Sequence, residues 1–552
     1  MRIRSLAGGA PLCALLAVAP AAAQAPRFEP QPCPARMEDA RCGTVRVPEN
    51  RDAPGRVLAL NVVVLPARSA APVRQAIAFF GGGPGQAVTQ IAPWVAPMFA
   101  PLRHTHDLLF IDQRGTGGSG PLPCALRDEA DPQSFLDDYL PAAAVARCRD
   151  DLSRTADLAR YGTVELAHDV ESVRVALGYG PLDLNAVSYG TRAALAYLRA
   201  YPGSVRSAVL RGLVPPGYRQ PSGYGADLDA ALAGLFAECR ADAACRAAFP
   251  DPHGELRAVA DRLAAAPATA EVVDPESGGR VRLTVSREIF VETIRKMLYD
   301  PAPARAVPSV VRRAYRGDYG PVASAALQDR RIIARFAWWG LHLAITCAED
   351  VPFIDPAAAA AENGRTLAGD YRFRQYLRAC EGWPRFAPED DDQPFRSDVP
   401  ALLISGALDP VTPPRWGQEA AALFSDGLHV VVPHASHTLD GMRGAACVDS
   451  LVVRFYRQGS VRDLDASCVR DIRPPPFTLD AGTTAGVPRG MRDGGGCGTA
   501  WRGGCRHPAA FAQRGRSTTR GGDDGEVRSV RERLLPVVRG DHGRQPARVR
   551  QL

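Results

Sequence analysis

Leu182-Asp183-Leu184-Asn185-Ala186-Val187-Ser188-Tyr189-Gly190-Thr191-Arg192 opens as a short apolar run. It continues into Ala193-Ala194-Leu195-Ala196-Tyr197-Leu198, good helix formers that reach Tyr201-Pro202. Between the two runs stands a serine among small residues. The pattern predicts a strand, a tight turn and a helix, with Ser188 at the apex. That geometry suits a nucleophile. The turn lifts the hydroxyl clear of the backbone, and the helix N-terminus turns free N–H groups toward any oxyanion that forms. Small residues two before and two after the serine let strand and helix approach; here they are Ala186 and Gly190. Ala186 stands where glycine is usual, a difference of one methyl. The plainer alternative is a serine that caps an ordinary helix.

A serine hydroxyl needs a histidine base, and the histidine needs a carboxylate to orient it. Behind an elbow of this kind, the acid and then the histidine follow in the chain. Asp409 lies just past the apolar run 400–406, in Ser405-Gly406-Ala407-Leu408-Asp409-Pro410-Val411-Thr412-Pro413. His437 lies past the run 428–432, in Val432-Pro433-His434-Ala435-Ser436-His437. His434 competes as the base, but it sits closer to the strand end, and a structural histidine accounts for it. The expected catalytic residues are therefore Ser188, Asp409 and His437. For the oxyanion, the expected donors are the backbone N–H groups of Tyr189 and Gly82. The latter belongs to Gly81-Gly82-Gly83-Pro84-Gly85, which follows the apolar run 75–80 and lets main chain approach a carbonyl.

Around these motifs the chain alternates strand and helix patterns. Runs 43–47 and 57–65 predict an antiparallel hairpin, and 106–111 and 205–214 predict further strands. Residues 164–177 carry Leu166, Val170, Val173 and Leu177 on one helical face. Such alternation implies a mostly parallel sheet covered on both faces. Between 217 and 397 helical runs dominate (228–247, 255–265, 287–299, 306–315), which predicts a helical cap inserted between strands. The strand–helix pattern then resumes to about residue 480.

Three motifs taken together, Gly81 to Gly85, Asp112-Gln113-Arg114-Gly115-Thr116-Gly117-Gly118-Ser119 and Val187-Ser188-Tyr189-Gly190-Thr191, resemble the proline iminopeptidase and tripeptidyl aminopeptidase branch of the α/β-hydrolases. The resemblance spans about 33–480 and includes the late Asp-Pro-Val-Thr-Pro stretch. Gly81 stands where the iminopeptidases carry histidine, and Arg211 stands where an acidic residue is common. Neither departure removes a catalytic group. The resemblance implies an α/β-hydrolase fold with a cap, and hydrolysis of a peptide with a free N-terminus. No metal, cofactor or nucleic acid is implied. It also calls for a cap carboxylate to read the substrate amine by a charge-assisted bond. Glu349, in Ile345-Thr346-Cys347-Ala348-Glu349-Asp350, is the expected anchor; a surface charge is the alternative. Competing functions are an esterase or amidase on small metabolites and, in another class, a catalytically silent binding protein.

Composition places the chain among globular proteins, at 46% hydrophobic and 23% charged. The net charge of +6 comes from an arginine-rich C-terminal segment, so the rest is near neutral and a nucleic-acid face loses its support. Arg2 and Arg4, an apolar core at 12–18 and Ala21-Ala22-Ala23 predict a signal peptide over 1–23. Core segments 24–216 and 398–480 then flank the cap at 217–397. A periplasmic or secreted protein is expected, free of the membrane after cleavage and monomeric. Thirteen cysteines agree with export. Ten of them fall into sequence-neighbour pairs expected as disulfides: Cys33 with Cys42, Cys124 with Cys148, Cys239 with Cys245, Cys347 with Cys380, and Cys447 with Cys468. Residues 481–552, with Cys497 and Cys505, are rich in Gly and Arg, lack a period, and predict a disordered tail. Truncation after Asp480 is expected to leave activity and melting temperature nearly unchanged, as side-by-side assays and thermal melts of the two lengths would show.

Overall fold

Residues 25–479 are described by the computed structural model, apart from 35, 36, 38, 54, 70–74 and 386–394. The expected signal peptide and tail, with Cys497 and Cys505, lie outside the described residues. The expected runs become strands β2 (Arg41–Pro48), β3 (Val57–Leu65), β4 (Ala76–Phe80), β5 (Asp107–Ile111), β6 (Leu182–Val187), β7 (Val205–Arg211), β10 (Ala401–Gly406) and β11 (Gly427–Val432), and the structure adds β1 (Phe28–Gln31), β8 (Ala268–Val273) and β9 (Arg280–Val285). Nine of them form one sheet in the order β1-β2-β3-β5-β4-β6-β7-β10-β11. Pairing is parallel from β5 through β4, β6, β7 and β10 to β11, and antiparallel at β1–β2, β2–β3 and β3–β5. This is the α/β-hydrolase fold.

Alternation along the strands divides the core. Ala76, Ala78 and Phe80 of β4 pack on one face, with the helices α3 (Thr163–Leu177) and α4 (Tyr189–Ala200). Ile77 and Phe79 pack on the other, with α1 (Val88–Val95) and α15 (Ala446–Gln458). Strands buried on both faces read as continuous apolar runs, which is why β4, β5 and β10 are wholly buried. A further helix, α2 (Ala142–Ser153), is joined to the loop before it by the Cys124–Cys148 disulfide.

After β7 the chain leaves the sheet and returns at β10. The intervening insertion has its own apolar core, built around Leu228, Phe236, Val259, Phe290, Val307 and Leu327. It is not purely helical. Helices α5 (Tyr224–Ala241), α6 (Ala243–Ala248), α7 (Pro252–Ala265), α8 (Arg287–Met297), α9 (Pro301–Tyr315), α10 (Gly320–Phe336), α11 (Trp339–Ile345), α12 (Pro356–Asn363) and α13 (Tyr371–Ala379) are joined by the antiparallel pair β8–β9. The helical period expected over 228–247 is broken at Asp242, whose side chain accepts from the N–H of Cys245 and starts α6. Helix α14 (Pro414–Ala421) then lies between β10 and β11.

The five cysteine pairs are joined as disulfides with Cα separations of 5.0 to 6.1 Å. Among the described residues no helix is long and apolar enough to cross a membrane. Leu184, in the central strand β6, is fully buried. Leu184→Ala is expected to cost about 2–5 kcal/mol, read as a lower denaturant midpoint at unchanged slope.

Candidate active site

Ser188 joins β6 to α4 with φ 57° and ψ −130°, a conformation that non-glycine residues rarely adopt. Neighbouring contacts hold it there. Its N–H donates to the Arg211 carbonyl at 2.9 Å. Its carbonyl accepts from the N–H and hydroxyl of Thr191, at 2.8 and 2.7 Å. The Thr191 hydroxyl oxygen in turn accepts from the N–H of Val214 at 2.8 Å. Gly190 shows why the position two beyond the serine must be small: a Cβ there would stand 2.3 Å from the Phe80 carbonyl oxygen. Ala186 is fully buried in β6, so its extra methyl is accommodated in the core.

Asp409 follows β10 and His437 follows β11. The two meet, with His437 Nδ1 2.7 Å from Asp409 Oδ2. Every acceptor position of this carboxylate is engaged. Oδ1 takes the N–H groups of Val411 and Thr412 at 2.8 and 2.9 Å, and Oδ2 also takes the Thr412 hydroxyl at 2.7 Å. Burial pushes the Asp409 carboxyl upward, but the His437 imidazole and the Thr412 bonds outweigh it and hold the group below the ordinary carboxylate range. Thr412 stands inside the quoted motif, yet its role depends on a turn that brings its hydroxyl back onto Asp409. Gly212, at φ 61°, lets these loops close on β7: a Cβ there would lie 2.9 Å from Thr412 Oγ1 and 3.0 Å from His437 Cε1.

Ser188 Oγ and His437 share no hydrogen bond in this structure, although both stand at the Arg211–Gly212 end of β7. Such bonds are often long before substrate closes the site. Arg211 itself is pulled below the usual arginine range by burial. The second histidine is engaged elsewhere. His434 Nδ1 lies 2.6 Å from Glu238 Oε1 of α5, and Arg305 of α9 pairs with the same carboxylate. His434 thus ties the β11 loop to the insertion.

Tyr189 is the first residue of α4, a position whose N–H has no intrahelical partner. Gly82 lies against the serine, since a Cβ on it would be 3.2 Å from Ser188 Cβ. Its N–H donates to Gln86 Oε1 at 3.2 Å. The insertion reaches the site through the end of α8. The Tyr299 ring packs edge-on to His437 with centroids 5.3 Å apart, and its carbonyl accepts from the N–H of Thr438 at 3.1 Å. Arg295 lies 3.6 Å from the Tyr224 ring centroid, and its Nη2 donates to the Pro410 carbonyl at 3.4 Å. Neither Tyr299 nor Arg295 is marked in the sequence beyond lying in a helical run.

Glu349, the expected amine anchor, is placed by its contacts with the helices around the serine. It is buried rather than exposed, and its carboxylate is already engaged. Oε1 accepts from the N–H of Thr163 at 2.6 Å, Oε2 from the Thr163 hydroxyl at 2.5 Å, and Arg192 Nη1 stands 3.8 Å away. Asp350 beside it pairs with Arg192 Nη2 at 2.9 Å. This carboxylate is held by Thr163 and Arg192 rather than standing open to solvent.

Two family models match this chain: alpha/beta hydrolase fold over residues 75–272, and TAP-like protein over 365–468. Serine protease Hip1 of Mycobacterium tuberculosis is 26% identical over 468 residues, covering 78% of this chain and 87% of the relative. Carboxylesterase B of the same species is 28% identical over 465 residues, with the same shares of 78% and 87%. Tripeptidyl aminopeptidase of Streptomyces lividans is 30% identical over 209 residues, covering 34% of this chain and 38% of the relative.

Two substitutions separate the histidines. His437→Ala is expected to abolish turnover, whereas His434→Ala retains most of it, with kcat as the measurement. Thr412→Val removes the hydroxyl that holds Asp409 and is expected to lower kcat by roughly tenfold with the fold intact, on the scale of one lost hydrogen bond to a charged group.

Proposed function

We propose that this chain, which matches the alpha/beta hydrolase fold and TAP-like protein models over parts of its length, is an exported serine aminopeptidase. The observation that carries the reading is the Asp409–His437 pair, which lies against Gly212 at the end of β7 where Arg211 also binds the serine of the left-handed turn. In this scheme Ser188 attacks the carbonyl carbon of an N-terminal residue or short peptide. His437 takes the serine proton and returns it to the leaving amine, and Asp409 keeps the imidazole in the tautomer with its free nitrogen toward the serine. Water then hydrolyses the acyl-enzyme by the same proton path. Tyr189 N–H and Gly82 N–H stabilise the oxyanion. For Gly82 to do so, the substrate oxygen takes the place of Gln86 Oε1. Export is supported by the five disulfides and by the N-terminal signal pattern.

With Glu349 engaged, the amine-reading role passes to another cap carboxylate. Asp329 of α10 fits: it is half-buried, and its ion-pair partner is Lys296 at 3.6 Å. The Lys296 ammonium stands 4.3 Å from the centroid of Tyr299, the ring that packs on His437. Burial raises the Asp329 carboxyl and Lys296 counters it. The second reading, an esterase or amidase, is favoured by the carboxylesterase relative.

A chromogenic tripeptide with a free amine, its N-acetylated form and a simple acyl ester are to be compared. The aminopeptidase reading expects acetylation to reduce kcat/KM by at least about tenfold, on the scale of a lost charge pair. Equal cleavage of both peptides, or turnover of the ester alone, would transfer the assignment to the esterase. A fluorophosphonate should label the wild type and leave Ser188→Ala unlabelled; a wild type that resists labelling would mark a binding protein instead.

A further inference from the structure

The engaged carboxylate of Glu349 has a place in the machinery. We propose that Glu349 is a positioning residue that fixes the oxyanion-binding N–H of Tyr189 through a one-way chain of hydrogen bonds running Gln113, Tyr189, Thr163, Glu349. The inference rests on the serine-hydrolase reading of Ser188.

The direction of the chain follows from donor and acceptor inventory. Glu349 at its end accepts the Thr163 hydroxyl proton at 2.5 Å. That hydroxyl has one proton, so its oxygen can only accept from the Tyr189 phenol, 2.8 Å away. Burial first, and then the Glu349 charge, keep that phenol well above its ordinary pKa, so it stays a donor. The phenol oxygen in turn accepts from Gln113 Nε2 at 3.3 Å. Each bond polarises the next toward a single ionised acceptor.

The chain links four parts of the molecule. Gln113 belongs to the glycine-rich motif after β5. Thr163 is the first residue of α3, and the residue before it, Gly162, has no side chain to cap that helix. Glu349 caps it from a distant part of the chain, where the helix dipole also favours a negative charge. Glu349 and Asp350 lie on a single π-helical turn, Thr346–Asp350, which the Cys347–Cys380 disulfide pins to α13. Through Arg192 the same two carboxylates hold the first turn of α4.

The peptide between Ser188 and Tyr189 carries the N–H that faces the oxyanion. Its conformation is strained, and strain of this kind persists only where the surroundings over-determine it. Arg211 and Thr191 hold the serine side of that peptide. On the tyrosine side, the hold is the buried ring with its anchored phenol. Loss of the anchor lets the N–H drift. The cost appears in the transition state, where the oxyanion exists, and not in ground-state binding.

The test uses the full-length enzyme with Glu349→Gln, Tyr189→Phe, the double variant, Thr163→Ser and Thr163→Val. The readouts are kcat and KM on an acyl ester, Ki for phenylboronic acid as a tetrahedral mimic, and melting temperature. Expected are a fall in kcat of at least about tenfold for each single loss at nearly constant KM, and a matching rise in boronate Ki. The double variant should be no worse than the poorer single, since both break one chain. Thr163→Ser should keep activity that Thr163→Val loses. Wild-type kcat in Glu349→Gln, independent effects in the double variant, or a change in KM alone would overturn the proposal. If Glu349→Gln does not fold, Tyr189→Phe and the Thr163 pair carry the same test, because they leave the buried carboxylate in place. A wild type that a fluorophosphonate labels, combined with a fully active Glu349→Gln, removes this inference alone. A wild type that resists labelling removes the serine-hydrolase reading as well.

Discussion

One backbone torsion governs the architecture. A serine at φ 57° has to be held from several sides, and its supports come from the helix that follows it and from neighbouring strands of the sheet. The Arg211 carbonyl reaches it from β7 and the Phe80 carbonyl confines Gly190 from β4. The order β4-β6-β7 therefore does more than bury apolar surface. It places the glycine loop on one side of the serine and the acid and base loops on the other. A parallel sheet gathers such loops at the carboxyl ends of its strands, which is where these all lie.

The insertion is part of that arrangement and not a detached lid. Tyr299 packs on His437, Arg295 bonds the carbonyl after Asp409, and Glu238 holds His434. At its far end, Glu349 and Asp350 reach the helices on either side of the elbow. The chemical groups of the site come from the sheet loops, while several of the contacts that hold those loops come from the cap.

What could be read from the sequence follows the range of the interactions. The elbow, the strand-end position of Asp409 and the five neighbouring cysteine pairs are local patterns, and local patterns show in a single chain. The hairpin β8–β9 also has a local signal, alternation on both sides of Ser277-Gly278-Gly279, which is hidden by the helical runs around it. Glu349 has no such signal. Its neighbours in sequence say that an acid follows a cysteine. They do not say that a π-turn directs it inward toward a helix start whose own cap position is glycine. Tyr299 is equally silent, because a tyrosine at the end of a helix looks the same whether it faces solvent or a histidine.

The cap enters the chain between β7 and β10, which are hydrogen-bonded neighbours in the sheet. Whatever its length, the inserted segment leaves at the carboxyl end of β7 and returns at the amino end of its parallel neighbour β10, so it forms the crossover between two fixed points. The entropy of closing such a loop grows only with the logarithm of its length, about 0.6 kcal/mol for each doubling. The sheet can thus carry a large or a small cap at nearly the same stability. Natural variation has room here to redraw the ceiling over the nucleophile, lengthening or trimming helices, while the strands beneath continue to pair as before.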